Sequence, residues 1–486
     1  MFFVGEVGGR VTDAMDLDAV LEALLAEVGL SPEEAGGRIS FAGSDPILPA
    51  KHRLGACMAV PLMANAVGAA AIWRSRTGRG QDLHLDLRQA IHQVSPGSRF
   101  APTLGGHEYP GERQIEGNMF IFDPYWARDG RKVMATGVYP HMRDAWLRFL
   151  DCPPDRERVA KAIATWDAFE LEDAAAAAGL VITVARTPAE WRSHPQGAIL
   201  AASPAIALEK VGDSSPRRFG QARRPLGDIR VLSFTHAIAG PTVGRSLAEQ
   251  GADVLNVTFP ADYEHDNIYL EANVGSRSTN LDLRISEDLA TVHRLLDQAD
   301  VLVDNHRHGR LARYGLSPAQ LAEAHPGLVT VAVTAFGEKG PWAERGGFDF
   351  NGSATTGLMA LEGSESDPVL PLTRVINDHI TGYLGALGVL GALVKRADAG
   401  GSWHVSVSLA ANAMWCSSLG LVDPSAAGTD EACTIIAPET ITVDTPLGLL
   451  HRLGSQVRYS ETPGGWESPV LVARGSSVPA WREPQL

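Results

Sequence analysis

From residue 228 onward, short apolar runs alternate with stretches of helical period. IRVLSF (229–234), ADVLNV (252–257), ADVLVDN (299–305) and LVTVAVTAFG (328–337) are rich in aliphatic and β-branched residues and read as buried strands. TVGRSLAEQG (242–251), LRISEDLATVHRLLDQA (283–299) and SPAQLAEAHPG (317–327) read as the helices between them. Strand and helix in turn predict an α/β fold over 228–414: a Rossmann-like parallel sheet with helices on both faces. Residues 117–211 predict a smaller α+β domain, with GRKVMATGV (130–138) and GLVITVA (179–185) as strands and HMRDAWLRFL (141–150) among its helices. A linker rich in Pro and Arg, 212–227, joins the two. Residues 1–95 predict two helices, MDLDAVLEALLAEVGL (15–30) and GACMAVPLMANAVGAAAIWRSR (55–76), then the alternating strand of TGRGQDLHLDL (77–87). The tail, 415–486, is loop-rich and predicts few elements.

Two stretches echo each other. AIWRSRTGRGQDLHLDL (71–87) and ALVKRADAGGSWHVSVSL (392–409) each run from a helix end through a Gly turn into an alternating strand. A packed, pseudo-symmetric pair is expected. The second echo overlaps the long run LPLTRVINDHITGYLGALGVLGALVKR (370–396), in which Asp378 and His379 stand just ahead of the apolar residues. Asn377 or Asp378 suits the N-cap of a helix through Leu393. The same Asp378 suits a nucleophile, because a helix N-terminus favours the ionised carboxylate and nearby N–H groups can receive an oxyanion. Spacing alone leaves both roles open.

Charge and motifs narrow the chemistry. The net charge of −15 weighs against a nucleic-acid partner. Cys57, Cys152, Cys416 and Cys433 show no CxxC spacing, so free thiols in a reducing cytoplasm are expected. MFFVGEVGGR has no basic leader start, and the apolar run Ile380–Val394 falls short of the roughly 20 residues that span a bilayer. A cytoplasmic protein without a membrane partner is expected. The loop SFTHAIAGPTVGRS (233–246) lacks GxGxxG and GxxxxGK[ST], which argues against nicotinamide, flavin and Walker-type nucleotide binding. Its place at the sheet's carboxyl edge suits phosphate. His236 in that loop reads as a hydrogen-bonding residue. Arg277, Arg307 and Arg313 suit an anionic ligand, with Arg310 expected on the solvated surface. His306 and His308 form an HxH pair without an evident carboxylate partner, a poor metal signal.

IRVLSFTHAIAGPTVGRSLAEQGADVLNV (229–257), NVGSRSTNLDL (273–283), the block from Ala299 to Phe350 and INDHITGYLGALGVLGALVKR (376–396) fall in an order that resembles the family III CoA-transferases. That family includes formyl-CoA and carnitine CoA-transferases and the α-methylacyl-CoA racemases. The resemblance covers 228–414. It implies that Asp378 is the nucleophile, that His236, Ala237, Arg277, Asn305 and Arg313 line a CoA site, and that His379 and Asp349 are auxiliaries. It implies acyl-CoA and carboxylic acid substrates, CoA moving between acids through a covalent aspartyl intermediate, and a homodimer. Coenzyme A then enters as acyl-CoA, and no resident cofactor or metal is implied. Two alternatives stay open: a 2-methylacyl-CoA racemase or isomerase, and a non-catalytic CoA-binding subunit. Ser276 replaces a frequent Lys of the family, Ile238 a Gln of formyl-CoA transferase, and Phe348 a His of the racemases. Loss of that His removes the second base that racemisation needs. Residues 117–211 resemble the family's small domain but precede the larger one. Residues 50–90 resemble the stretch after the family's aspartate, with Cys57 near the position matching Asp378. A rearranged chain with an incomplete first copy in 1–95 is expected.

Overall fold

The computed structural model describes residues 15–94, 100–109 and 117–483; the opening MFFVGEVGGR, read above for a leader, lies outside the described residues. The main sheet consists of β1 (Ala207–Gly212), β2 (Arg230–Phe234), β3 (Asp253–Thr258), β4 (Ser276–Asn280), β5 (Val301–Asp304), β6 (Val329–Thr334) and β7 (Ser402–Ser408). Their order is β4-β3-β2-β5-β6-β7-β1. β2 to β7 run parallel, and β1 closes one edge antiparallel to β7. All of β1 but Gly212 falls within the sequence range of the small domain, yet in space it belongs to this sheet. The parallel strands follow the doubly wound order, which reverses direction between β2 and β5.

Burial on two faces explains the apolar runs. Val231, Val254, Val303, Val331 and Val405 pack in one core with α1 (Leu54–Thr77), α2 (Ala239–Glu249) and α3 (Asn377–Ala399). Leu232, Phe234, Leu255 and Leu302 face the other way, against Val292, Leu295 and Leu321 of the helices Ser286–Leu296 and Pro318–Ala324. Each such side chain contributes roughly 1.5–3 kcal/mol when fully buried. α3 packs through its glycines. A Cβ added at Gly382 would collide with Thr242 of α2, and one at Gly388 with Val405 of β7.

The two echo helices do pack on each other. Asn65 of α1 donates to the Tyr383 carbonyl of α3 at 2.8 Å, and Gly68 lies against Leu390. Their following strands diverge. β7 enters the main sheet, whereas Leu83–Asp86 joins Ile39–Ala42 and Val457–Tyr459 in a separate sheet. α1 is long and apolar enough to cross a membrane, but its apolar stretch is wholly buried within the fold, as a core helix is. The tail carries more structure than its composition predicts. Its hairpin Thr440–Thr445 and Gly448–Leu453 pairs with Thr103–Leu104. The segment 125–184 builds its own sheet from Tyr125–Trp126, Lys132–Thr136 and Val181–Val184 around Trp146.

The expectation of free thiols fails at two positions. Cys57 of α1 and Cys416 of the helix Leu409–Ser418 form a disulfide, while Cys152 and Cys433 are free. A pairing across 359 residues leaves no spacing signal in a sequence.

Candidate active site

The loops after β2 and β5 meet where the strand order reverses, the crevice in which doubly wound sheets take ligands. They line a cavity of about 880 Å³ that also meets Asp378. Asp378 is only 9% exposed, and that exposure opens onto this space.

Local capping explains how Asp378 comes to face it. Ile376, not Asn377 or Asp378, stands at the cap of α3, and no side chain of its own turn caps it. Asp349, 29 residues earlier than Asp378, supplies the cap: its Oδ2 accepts from Asp378 N at 2.8 Å. The same oxygen accepts from Ile376 N at 2.9 Å, and Oδ1 accepts from Asn377 Nδ2 at 3.2 Å. The expected capping role is thus filled by a residue far away in sequence, and the Asp378 carboxyl is left for the cavity. α3 also runs on to Ala399, past the expected end at Leu393.

The pair titrates unlike a free carboxylate. Burial, joined by the charge of Asp349, pushes Asp378 well above the usual range. Burial lifts Asp349 to about 7, against the backbone N–H groups that favour its ionised form. Two adjacent buried carboxyls resist ionising together. The helix dipole was expected to keep Asp378 ionised, but it contributes only ~0.3–1 kcal/mol. Desolvation of a buried charge costs several kcal/mol and outweighs it.

The loop after β2 is held from both sides. Asn305 Oδ1 accepts from His236 N at 3.0 Å, and Asn305 Nδ2 donates to the His236 carbonyl at 2.7 Å. His236 Nδ1 lies 3.1 Å from the Tyr139 hydroxyl. Burial, with His306 and Arg310 nearby, drives His236 down to about 3, so its ring is neutral near pH 7. Ala237 adopts a left-handed φ of 57° and donates its N–H to Glu264 Oε2 at 2.7 Å.

Arg307, Arg310 and Arg313 line the cavity and are exposed. Arg310, expected as a solvated surface group, therefore belongs to this site. Among the described residues, Arg307 and Arg310 form no ion pair, and Arg313 lies 4.9 Å from the centre of the Tyr314 ring. Uncompensated guanidinium groups at an opening suit a phosphate-bearing ligand.

Two candidates are not brought to the cavity. Arg277 is buried in β4, where its guanidinium holds both Asp253 oxygens at 2.9 Å and the Ala480 carbonyl at 2.7 Å. It is the second residue of its strand, so it sits toward the amino end, whereas the cavity lies at the carboxyl edge. His379 follows Asp378 directly, but one helical step turns a side chain by about 100°. It packs beside Arg245 and Glu271, does not line the cavity, and is driven by burial to about 3. His306 and His308 do have carboxylate partners, Asp304 at 2.8 Å and Glu338 at 3.3 Å, contrary to the HxH expectation. Among the described residues, no cluster of three or more His, Cys, Asp or Glu could hold a metal.

The structure adds residues with no signal in the sequence. Tyr139 arrives from the small domain, and Glu264 and Tyr263 from the loop after β3. Arg474 of the tail lines the cavity and donates to the Phe259 carbonyl at 3.1 Å. Only the pairing of distant segments reveals these.

Residues 226–435 match the model of CoA-transferase family III. An acetyl-coenzyme A transferase of Hypoxylon pulicicidum is 34% identical over 200 residues, 40% of this chain and 34% of that protein. A succinyl-CoA–L-malate CoA-transferase alpha subunit of Chloroflexus aurantiacus is 33% identical over 204 residues, 39% of this chain and 48% of that protein. A solved CAIB/BAIF family protein from Brucella suis shares 26% identity, covering 47% of this chain and 65% of its own, with a TM-score of 0.37. The chain spans about a third to a half of the length of the two curated relatives.

Proposed function

We propose that this chain, whose residues 226–435 match the model of CoA-transferase family III, moves CoA from an acyl-CoA to a carboxylic acid. The observation that carries this reading is the joining, in one cavity, of the Asp378 carboxyl and the Arg307, Arg310 and Arg313 side chains. The arginines suit the nucleotide phosphates of CoA, and the carboxyl suits the thioester. We take the crevice as a Rossmann-like ligand site and the working unit as a homodimer in the cytoplasm.

The ionised Asp378 oxygen attacks the thioester carbonyl, forming a mixed anhydride and breaking the C–S bond. The CoA thiolate leaves with the electron pair; a thiol of pKa near ~8.5 makes a good leaving group. That thiolate attacks the aspartyl carbonyl, releasing the donor carboxylate and leaving CoA on Asp378 as a thioester. The acceptor carboxylate attacks this thioester to give a second anhydride and thiolate. Attack of the thiolate on the acceptor's acyl carbon yields the new acyl-CoA and restores Asp378. One thioester is made for each one broken, so the sequence balances without ATP. Asp349, bound to three donors at the start of α3, keeps the turn in place while Asp378 changes partner.

The test uses the purified chain with a panel of acyl-CoAs and a carboxylic acid, and follows thioesters by mass spectrometry. Exchange is expected, with an adduct on Asp378 that hydroxylamine or borohydride traps. Exchange that persists undiminished in Asp378→Ala overturns the reading.

A further inference from the structure

Glu264 is an odd presence in a cavity that suits an anion. Among the described residues it forms no ion pair, and its oxygens go to the loop instead. Oε2 accepts from Ala237 N at 2.7 Å, and Oε1 accepts from its own neighbour His265 N at 3.0 Å. Oε1 also faces the Tyr139 hydroxyl at 3.3 Å, and that hydroxyl lies 3.1 Å from His236 Nδ1. Three segments meet in this clasp: the loop after β2, the loop after β3 and the small domain. Ala237 has a φ of 57°, which a residue with a Cβ holds only when its surroundings impose it. The bond to Glu264 is such an imposition.

We propose that Glu264 is a positioning residue for acyl transfer at Asp378. It fixes the His236–Ala237 turn and holds Tyr139 against His236, so that the small domain and the sheet present one rigid wall to the reacting thioester. The proposal rests on the CoA-transferase reading. His236, Ala237, Tyr139 and Asp378 line the same cavity, while the arginines that suit phosphate come from the separate segment 307–313. Loosening the clasp should therefore slow the chemical step and leave acyl-CoA capture intact, since small misplacements of reacting groups cost rate.

Glu264→Gln keeps the size and one acceptor oxygen, and Tyr139→Phe removes the hydroxyl. Each is expected to lower kcat about tenfold with KM for acyl-CoA within about twofold, and to slow adduct formation in single-turnover trapping. The double variant should be no slower than the worse single one, because both act through the same clasp. A thermal midpoint close to that of the unaltered chain separates positioning from general loss of structure. Unchanged kcat in both variants, a loss confined to KM, or losses that multiply in the double variant would each overturn the role. If Glu264→Gln does not fold, unchanged kcat in Tyr139→Phe overturns it alone. Absence of any Asp378 adduct in the unaltered chain sinks the CoA-transferase reading itself; an adduct with unaffected variants sinks only the role of Glu264.

Discussion

Two carboxyl groups share the first turn of α3, and their titration ties activity to pH. In the proposed reaction attack requires Asp378 ionised, and burial beside Asp349 resists that. Activity should therefore begin to fall, as pH drops, well above the 3.8 of a free Asp. A rate profile flat from pH 5 to 8 would contradict this. Stability runs the opposite way. Both carboxyls hold their protons more tightly in the folded chain, so the native state binds more protons than the unfolded chain above about pH 4, for Asp349 up to about pH 7. Stability is thus lost as pH rises through that window, each tenfold difference in proton affinity between the two states being worth roughly 1.4 kcal/mol. Asp378→Asn should raise the thermal midpoint at pH 8 and change it little at pH 4. The arginines predict a different kinetic signature. A charge-assisted hydrogen bond contributes about 1.5–3 kcal/mol, so Arg310→Ala should raise KM for acyl-CoA about tenfold or more with kcat nearly unchanged. An Arg277→Ala variant should instead lose stability, since its partner Asp253 is left without its buried guanidinium.

At the scale of elements, the glycines of α3 matter more than helix propensity. Ala normally improves a helix by about 1 kcal/mol over Gly. At Gly382 the added methyl meets the Cβ of Thr242 and the Ala239 carbonyl of α2, neither of which is a flexible tip. Gly382→Ala should lower unfolding free energy by about 1–3 kcal/mol in urea titration; a gain would show that α2 and α3 can move apart. The same contrast explains what the sequence could reveal. The alternation of strands and helices was legible because Val231 and Leu232, or Val301 and Leu302, are buried on opposite faces of one sheet, which writes a continuous apolar run. The cap of α3 was not, because Asp349 reaches it from 29 residues away. Arg277 misled for a related reason: motif position names a strand but not which end of it faces the crevice. The sequence singled out Asp378 through its resemblance to a family pattern, since a helix-start Asp is chemically ambiguous, and the structure puts it on the cavity.

At the scale of the molecule, distant segments close on one another around α3, and this was the least legible level. α1 packs along it, the tail strand Val457–Tyr459 pairs with Leu83–Asp86, and Arg474 reaches the cavity. The α1–α3 packing was foreshadowed by the echo of 71–87 in 392–409, but the other contacts join residues whose local sequence carries no mark of the other. The Cys57–Cys416 bond locks this arrangement covalently, joining α1 to the helix that follows β7 across a separation of 359 residues. Constraining so long a loop acts mainly on the unfolded chain, and native disulfides typically contribute about 2–4 kcal/mol. Alkylation of the denatured, unreduced chain should therefore label Cys152 and Cys433 alone, and prior reduction should expose Cys57 and Cys416 as well. The urea midpoint should fall on reduction and should not respond to reductant in Cys57→Ala. Because the bond lies in the core between α1 and the sheet domain, apart from the Asp378 cavity, reduction should lower stability while leaving KM for acyl-CoA unchanged below the unfolding transition. Labelling of all four cysteines without reductant would show that the two segments are held by packing alone.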